Sequence, residues 1–540
     1  MNNGKICISI CAETADELIE QIKCAEDLAD FIEIRFDCLN ETEFEESLNK
    51  LANLKYRKPF LATFRPKDSD SEIIFAYRVF KNKEQEKKVI ELQNYRFIGW
   101  TRIIELKNVN YLDFEADILL SLFISESFGN PLNESSKPFS NETYNKIKEK
   151  IIIVSEHFFE DVPNDLIDIY ENLKTDETEG LKSEVIKIAV QTNDITDTIS
   201  IWKLLEKAKS ENKQIIPIAM GEAGKWTRIL GLAHGAFMTY ASLDAGKETA
   251  SGQIGAQDLI ETYRVKELDE QTEIYGIVGN PVAQSLSPFM HNAAFKFYNL
   301  NAVYIPFEVK NLDAFIGKFL EESGLDIKGF SVTIPHKQAI IKHLDFIDKT
   351  AKTIGAVNTV KIVGGKLHGY NTDTDGFIAP LRNAYGDLKN VKVAVLGNGG
   401  AARACIYALK RENADVTIFA RDLAKAEILA NEFEIELKEL TNADFDDFEI
   451  VVNATALGMK GFLENETPAV AEQIRRVKLV YDLVYNPFET RFLKEAKSVF
   501  VPTIGGMAML VAQAVKQFEI WTGKDAPMKE MSATVLKRLG

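Results

Sequence analysis

The 540-residue chain predicts an α/β protein in two halves: an N-terminal (β/α)8 TIM barrel, then a second α/β unit that contains a dinucleotide-type turn. Three observations predict it. Eight short apolar or alternating runs, most of them separated by helix-like stretches, precede residue 245. A polar piece, Lys266–Glu273, interrupts the pattern and places a domain boundary near residue 270. Beyond it the alternation resumes, and one apolar strand runs directly into the glycine-rich turn Gly397-Asn398-Gly399-Gly400-Ala401-Ala402.

The eight runs are Lys5–Ile10, Phe31–Phe36, Phe60–Arg65, Tyr111–Glu115, Ile151–His157, Val185–Val190, Ile215–Met220 and Ala236–Ser242. Between them, Ala15–Asp30 and Asp194–Ser210 carry helical periodicity. The gaps Ser71–Asn110, charged and aromatic, and Glu126–Asn141, rich in Asn, Ser and Pro, exceed what a single helix needs and read as insertions. Gln257–Val265 is helical, and a new strand starts at Ile274–Val278. In the second half, Val391–Leu396 and Asp415–Ala420 are strands on either side of the glycine turn and its helix.

A hydrophobic fraction of 46% and a charged fraction of 27% are ordinary for a globular protein. The formal charge of −17 argues against nucleic acid or an anionic membrane surface as partner. Anionic small substrates remain compatible, because they need only local Arg or Lys. The five cysteines (Cys7, Cys11, Cys24, Cys38, Cys405) are odd in number and lack CxxC spacing, which predicts a reducing compartment and no disulfide framework. Met1 leads into a strand-like run and then Glu13 and Asp16, and no apolar run approaches ~18 residues. The expectation is a soluble, cytoplasmic protein without a metal site.

Barrel chemistry gathers where the strands end at their C-terminal side, and polar residues occupy that position here. Ser9 ends the first run, Glu33 and Arg35 the second, Arg65 the third and His157 the fifth, while Lys187 lies in the sixth. Glu33 and Arg35 share a face and can point into the mouth or form a buried ion pair. A lysine taken out of water tends to lose its proton and attack carbonyl carbon, although a strand lysine can instead reach solvent or meet a carboxylate. On the neighbouring strand, His157 is a candidate proton carrier. Arg228 is suited to a carboxylate, and Thr249–Gln253 reads as a closing loop.

Seven segments in register with the strands carry a resemblance to type I 3-dehydroquinate dehydratase over roughly residues 4–260. They are Ile8–Ile10, Glu33–Asp37, Thr63–Arg65, Ser155–His157, Ile186–Val190, Arg228–Gly231 and Ser251–Gln253. The resemblance implies that Lys187 forms an imine with the substrate's ring ketone and that His157 removes the neighbouring proton and assists loss of water. It further implies that Arg228 holds the carboxylate, and that Ser9, Glu33, Arg35, Arg65, Thr249 and Gln253 bind and orient the rest. The family often carries a glutamate after the arginine of the third strand; here the loop reads Pro66-Lys67-Asp68-Ser69-Asp70.

In the second half, the strand–turn–helix context of Gly397–Ala402 is that of a dinucleotide fingerprint, whose glycines let the backbone approach a pyrophosphate. The strand Asp415–Ala420 ends in Arg421 rather than an acid, which favours a 2′-phosphate and therefore NADP, with Asp422 next door. Upstream, Ser285 and Ser287 precede Pro288 at a helix start and can either bind a ligand or cap the helix. Ser331–Lys337, Gly355–Thr359 and Gly369–Asp373 follow, and Lys337 with Asp373 is the pair expected to share a proton.

These segments, with Val452–Thr455, Asp482–Pro487 and Gly505–Ala514, resemble shikimate dehydrogenase over roughly residues 273–540. The resemblance implies a Rossmann NADP-binding domain at 386–505, a substrate-binding domain at 273–385 completed by C-terminal helices 506–540, and the barrel at 1–268. It also implies that Lys337 and Asp373 are catalytic, that Ser285, Ser287, Thr333, Asn358, Tyr485, Gly506 and Gln513 line the shikimate pocket, and that Gly397, Asn398, Gly399, Gly400, Ala401, Arg421 and Thr455 hold NADP. Two positions depart from the commonest pattern: Gln284 replaces a histidine and Ser331 an asparagine.

The product of the first reaction is the substrate of the second, so the expectation is a bifunctional enzyme of chorismate and aromatic amino acid biosynthesis acting on small molecules, with no oligomeric state assigned. Two alternatives stand beside it. One is a quinate or quinate/shikimate dehydrogenase using NAD, fused to the dehydratase. The other is a catalytically silent sensor or repressor, against which stand the retained lysines and the lack of a basic DNA-binding segment.

Overall fold

Side chains on the strands of the first half alternate between the inside and the outside of a curled sheet, and that parity assembles the first site. The computed structural model describes residues 2–65, 96–116, 139–175, 183–244, 246–441 and 443–539. Most of the two expected insertions (71–95 and 126–138), together with the loop 66–70, lie outside these residues. The chain divides into two compact units, Met1–Glu270 with Glu321–Ser323, and Gln271–Leu320 with Gly324–Gly540.

In the first unit, eight strands follow in order: β1 (Lys5–Ile10), β2 (Phe31–Arg35), β3 (Phe60–Thr63), β4 (Val109–Glu115), β5 (Ile151–Phe158), β6 (Ser183–Gln191), β7 (Gln214–Met220) and β8 (Met238–Ser242). All their ladders are parallel, in the order β7-β6-β5-β4-β3-β2-β1-β8, with the short β9 (Ile254–Gly255) beside β8. The Phe237 N–H, just before β8, donates to the Ile215 carbonyl of β7 at 2.9 Å and brings the two ends of the sheet together. This is the curled parallel sheet of a (β/α)8 barrel.

The barrel interior is layered. Cys7, Phe31, Leu61, Ile153, Val185, Ile216 and Met238 form one buried apolar cluster. Two residues further along their strands, Ser9, Glu33, Thr63, Ser155 and Lys187 are buried as well, joined by Asp113 of β4. The helix Ala15–Ala25 starts at Thr14, whose hydroxyl accepts from the Glu17 amide at 3.2 Å. It ends earlier than its periodicity predicts because Asp30 is drawn to the base of β1, where its carboxylate accepts from the Ile6 amide at 2.8 Å.

The expectation of no disulfide needs correction: Cys11 and Cys38 are bonded, with Cα atoms 5.5 Å apart. Cys11 follows β1 and Cys38 closes the short turn Phe36–Cys38 after β2. Adjacent parallel strands deliver these two ends to the same place, which a separation of 27 residues conceals. Cys7 and Cys405 are buried free thiols, and Cys24 is exposed.

The second unit contains two six-stranded sheets. The first is mixed, built from β10 (Glu273–Gly279), β11 (Ala302–Glu308), β12 (Ile327–Val332), β13 (Phe346–Ile347), β14 (Thr359–Val363) and β15 (Lys366–Tyr370), in the order β11-β10-β12-β14-β15-β13. Gly364 and Gly365, both at positive φ, make the tight turn that lets β14 return as β15. The helix Gly506–Thr522 packs back through Trp521 on Tyr275 of this sheet and through Phe518 on Phe295 of the helix Ser287–Phe297.

The second sheet comprises β16 (Lys392–Leu396), β17 (Asp415–Ala420), β18 (Glu436–Glu439), β19 (Ile450–Asn453), β20 (Leu479–Asp482) and β21 (Thr503–Ile504). It is wholly parallel in the order β18-β17-β16-β19-β20-β21, so the strand order reverses between β16 and β19. A doubly wound sheet binds ligands at that switch point, next to the turn after β16. Among the described residues no helix is long and apolar enough to cross a membrane.

Candidate active sites

Lys187, in the middle of β6, is only 4% exposed. Its Nζ lies 2.7 Å from Asp113 Oδ2, 3.7 Å from Glu33 Oε1 and 3.1 Å from Tyr240 Oη. The amine is therefore buried and also ion-paired, which joins two possibilities that the sequence leaves as alternatives. Glu33 is itself held by the hydroxyls of Ser9 and Thr63, the latter at 2.8 Å. Arg35 does not pair with Glu33; its guanidinium makes a two-point contact with Asp37 at 3.0 and 2.7 Å.

Arg65 is the hub of the site. It donates to Asp113 at 2.9 Å, to Glu115 at 2.8 Å and to His157 Nδ1 at 3.1 Å, and Arg96 reaches Glu115 from the other side at 2.7 Å. Burial would raise the Asp113 carboxyl, but Lys187 and Arg65 outweigh it and hold the group well below the usual carboxylate range. Burial, reinforced by the Arg65 and Lys187 cations, pushes His157 well below the ordinary imidazole value, so the ring is neutral at pH 7. Arg65 has only donors, so Nδ1 is the acceptor and the ring proton sits on Nε2. Phe159 stacks on this ring at 5.9 Å.

Arg228 is buried on the helix Lys225–Leu230, and burial pushes its guanidinium down to about 10. Among the described residues its Nε has no hydrogen-bond partner, while its Nη2 donates to the Ser251 carbonyl at 3.4 Å. A buried guanidinium with no carboxylate beside it among the described residues is a ready site for an anion. The loop over it is closed on itself: the Thr249 amide donates to Gln253 Oε1 at 2.8 Å, and Gln253 Nε2 to Thr249 Oγ1 at 3.0 Å.

In the second unit, Lys337 Nζ meets Asp373 Oδ2 at 2.5 Å. Asn358 Nδ2 donates to Asp373 Oδ1 at 2.8 Å and to Thr372 Oγ1 at 3.0 Å, while Asn358 Oδ1 accepts from the Thr372 amide at 2.8 Å. Asp373 opens the helix Asp373–Tyr385, whose N-terminal dipole favours a carboxylate. Ser285 hydrogen-bonds Tyr485, whose phenol is raised by burial, and its Oγ also accepts from the Ser287 amide at 3.2 Å. Ser287 is buried as the first residue of its helix, and Thr333 is half-buried beside Gly279.

Other expected pocket residues have packing partners of their own. Gln513 Nε2 donates to the Leu510 carbonyl at 2.8 Å, and a Cβ on Gly506 would fall 2.3 Å from the Leu483 carbonyl, so only glycine fits there. Ser331, standing where asparagine is frequent, has its hydroxyl held between Tyr304 at 2.6 Å and Gln517 at 2.9 Å.

The turn after β16 fits a dinucleotide. Gly397 has φ +109° beside Ala454 and Thr455, and Gly399 faces open space. The buried Asn398 Nδ2 has no partner among the described residues, and the helix Gly400–Arg411 presents its N-terminus there through Gly400 and Ala401. Thr455 is fixed by Asn453 at 2.6 Å. A Cβ on Gly400 would stand 3.2 Å from the Lys337 side chain, so this turn directly abuts that lysine. Arg421 is exposed at the end of β17, whereas Asp422 caps the helix Leu423–Phe433 by accepting from the Lys425 amide at 3.0 Å.

Sequence reasoning missed Asp113, Glu115, Arg96 and Tyr240. The alternation of Tyr111, Asp113 and Glu115 on one face of β4 was the available signal, since two acids in a buried strand require cations nearby. Tyr240 carried no signal beyond strand propensity.

Fold and side chains define a two-site enzyme, with an amine-bearing barrel in one unit and a dinucleotide-type fold with a lysine–aspartate pair in the other. Residues 6–270 match the family described as type I 3-dehydroquinase. Residues 277–360 match the shikimate dehydrogenase substrate binding domain, residues 381–487 shikimate / quinate 5-dehydrogenase, and residues 506–536 the shikimate 5'-dehydrogenase C-terminal domain. The chain is 32% identical to the chloroplastic bifunctional 3-dehydroquinate dehydratase/shikimate dehydrogenase of Arabidopsis thaliana, over 99% of this chain and 85% of that one. It is 41% identical to the shikimate dehydrogenase (NADP(+)) of Methanocaldococcus jannaschii, over 50% of this chain and 99% of that one. A crystal structure of a shikimate dehydrogenase in complex with NADP+ aligns at a TM-score of 0.48 and 40% identity, covering 51% of this chain and 98% of that one. The chain belongs to the bifunctional 3-dehydroquinate dehydratase/shikimate dehydrogenase family, enzymes that join a lyase to an oxidoreductase.

Proposed function

We infer that this chain dehydrates 3-dehydroquinate in its barrel and reduces the resulting 3-dehydroshikimate to shikimate in its second unit, with NADPH as reductant. The observation that carries the reading is Lys187, a buried amine in contact with Asp113 and electrostatically coupled to a neutral His157. Nζ attacks the ring ketone and water leaves to give an imine, an electron sink for the adjacent carbon. Arg65 turns from His157 to a ring hydroxyl, freeing Nδ1 to take the neighbouring proton. The protonated imidazole then assists departure of the ring hydroxyl as water, and hydrolysis of the imine releases the product. Arg228 grips the carboxylate, supported by its unpaired Nε. Glu33, Ser9 and Arg35 orient the ring, and Thr249 and Gln253 close over it.

In the second unit NADPH, when bound, supplies hydride. Gly397, Asn398, Gly399, Gly400, Ala401 and Thr455 hold it, and Arg421 takes a 2′-phosphate while Asp422 is occupied as a helix cap. Lys337, held by Asp373, donates a proton to the developing alkoxide, and Asn358 keeps Asp373 in place. Ser285, Ser287, Thr333, Tyr485 and Gln513 present hydroxyl and amide groups to the substrate, with Gly506 allowing its helix to approach.

A coupled assay tests both halves together. Wild-type protein oxidises NADPH when given 3-dehydroquinate. Lys187→Ala loses this yet still oxidises NADPH with 3-dehydroshikimate, whereas Lys337→Ala accumulates 3-dehydroshikimate and leaves NADPH untouched. A preference for quinate and NAD in the reverse direction would overturn the assignment of the second site.

A further inference from the structure

Among the described residues three polar groups surround Lys187 Nζ, and they differ in what they can do. Asp113 and Glu33, as carboxylates, only accept hydrogen bonds. Tyr240 Oη, at 3.1 Å, accepts from an ammonium and can equally turn its own proton toward a nitrogen lone pair or a nearby oxygen. Its ring face lies under the same nitrogen, 4.4 Å from Nζ to the centroid. That placement favours the cationic states, ammonium and iminium, over the neutral amine. Tyr240 is 3% exposed and packed among Cys7, Ile153 and Met238, so the hydroxyl is fixed where it stands.

Imine formation on Lys187 needs more than a nucleophile. As the N–C bond forms, the carbonyl π pair moves onto oxygen, which must take a proton, and the nitrogen must give one up. In the next step the C–O bond breaks, the oxygen leaves as water after a second protonation, and the nitrogen lone pair closes C=N. The two heteroatoms sit on the same carbon, so a hydroxyl within hydrogen-bond reach of Nζ is beside both. Asp113 is poorly suited to this traffic, because Lys187 and Arg65 keep it well below the usual carboxylate range. His157 serves the carbon proton and the departing ring hydroxyl, and among the described residues it makes no hydrogen bond to Nζ.

We propose that Tyr240 is a further catalytic residue of the dehydratase, passing protons between Lys187 Nζ and the substrate oxygen while the imine forms and hydrolyses. In each transfer the phenol gives its proton to oxygen as it takes one from nitrogen, so it never ionises and no outside acid or base is required. Burial, followed by the nearby Glu33, raises the Tyr240 phenol well above its ordinary value, which suits a relay that stays neutral. The proposal rests on Lys187 being the Schiff-base residue.

The test is the rate of imine formation in the full chain, read by mixing with 3-dehydroquinate, quenching with borohydride at successive times and measuring the reduced adduct by mass. Wild type gives the adduct at Lys187. Tyr240→Phe, which keeps the ring and its packing, gives the same adduct about 100-fold more slowly with KM changed only a few-fold. Its shikimate dehydrogenase activity, measured in the same sample, is unchanged. A trapping rate for Tyr240→Phe within twofold of wild type overturns the relay while leaving Lys187 in place. No adduct in wild type overturns the Schiff-base reading, and the relay with it. A second measurement needs no variant: plotted against the deuterium fraction of the solvent, the wild-type trapping rate bows downward if two protons move together, and a straight line overturns the relay.

Discussion

Within the barrel, Lys187, Asp113, Glu33, Arg65, Glu115, Arg96 and His157 form one connected web of titratable groups. The second unit instead sets a single ion pair, Lys337–Asp373, in a frame of neutral amides and hydroxyls from Asn358, Thr372 and Thr359. The difference follows the chemistry proposed for each. Where the protein's own amine becomes covalently attached to substrate, several protons change hands among its side chains, and charges around them must set each affinity. Where a cofactor brings the redox chemistry, the protein is left to orient groups and deliver one proton.

Loss of the barrel amine should be the most damaging single change. Lys187→Ala should lower dehydratase kcat by at least about 10⁴-fold, read from ultraviolet absorbance of the conjugated product, and leave shikimate oxidation intact. The second site should lose less. Lys337→Ala is expected to cut shikimate oxidation by about 10³-fold, and Asp373→Asn, which preserves one hydrogen bond with Asn358, by about 10²-fold. If Asp373→Asn were as damaging as Lys337→Ala, the neutral frame would matter less than the charge. Arg228→Ala should act on binding, raising KM for 3-dehydroquinate by about 50-fold, the worth of a charge-assisted bond of roughly 2–3 kcal/mol, with little effect on kcat.

The smallest effect is on stability, and it has opposite signs in the two units. The folded His157 is held below the ordinary imidazole value, so below pH ~6.5 the unfolded chain takes up a proton the folded one does not. Barrel stability is therefore lost as pH falls through that range. Asp482, buried beneath hydrogen bonds from Thr490, Asn453 and the Val484 amide, is raised to about 6 by burial. Between about pH 6 and its unfolded value near 4 the folded form binds the extra proton. The second unit thus gains at most about 3 kcal/mol on acidification. Hydrogen exchange of the whole chain at pH 7 and pH 5 should show barrel peptides losing protection and β19–β20 peptides gaining it. Asp482→Asn should abolish only the gain.

The two regions also differ in how openly their sites stand in the sequence. In the second unit the groups that meet are carried by short contiguous motifs: Asn358 and Thr359 in one, Asn371, Thr372 and Asp373 in another, and the glycine turn in the six residues Gly397–Ala402. In the barrel each strand contributes one or two residues, and the Lys187 and Asp113 that meet at 2.7 Å are 74 positions apart. The polar strand ends Ser9, Glu33, Arg65, His157 and Lys187 were visible one at a time. The acids on β4 that bind Arg65 and Lys187 carry a weaker signal, two acids alternating in a strand, which says that cations are near but not which ones. Likewise the Cys11–Cys38 bond is invisible to spacing rules and follows from β1 lying beside β2.

By itself the sequence determined what depends on near neighbours along the chain. Eight strand–helix alternations, a polar break and a strand–glycine–helix turn set the α/β class, since backbone periodicity and turn chemistry act within a few residues. Tertiary structure alone decided which charges neutralise one another, that Tyr240 stands against Lys187, and that Gly400 abuts Lys337. Those contacts are set by strand register and sheet closure, and each joins positions whose local sequences contain no information about one another.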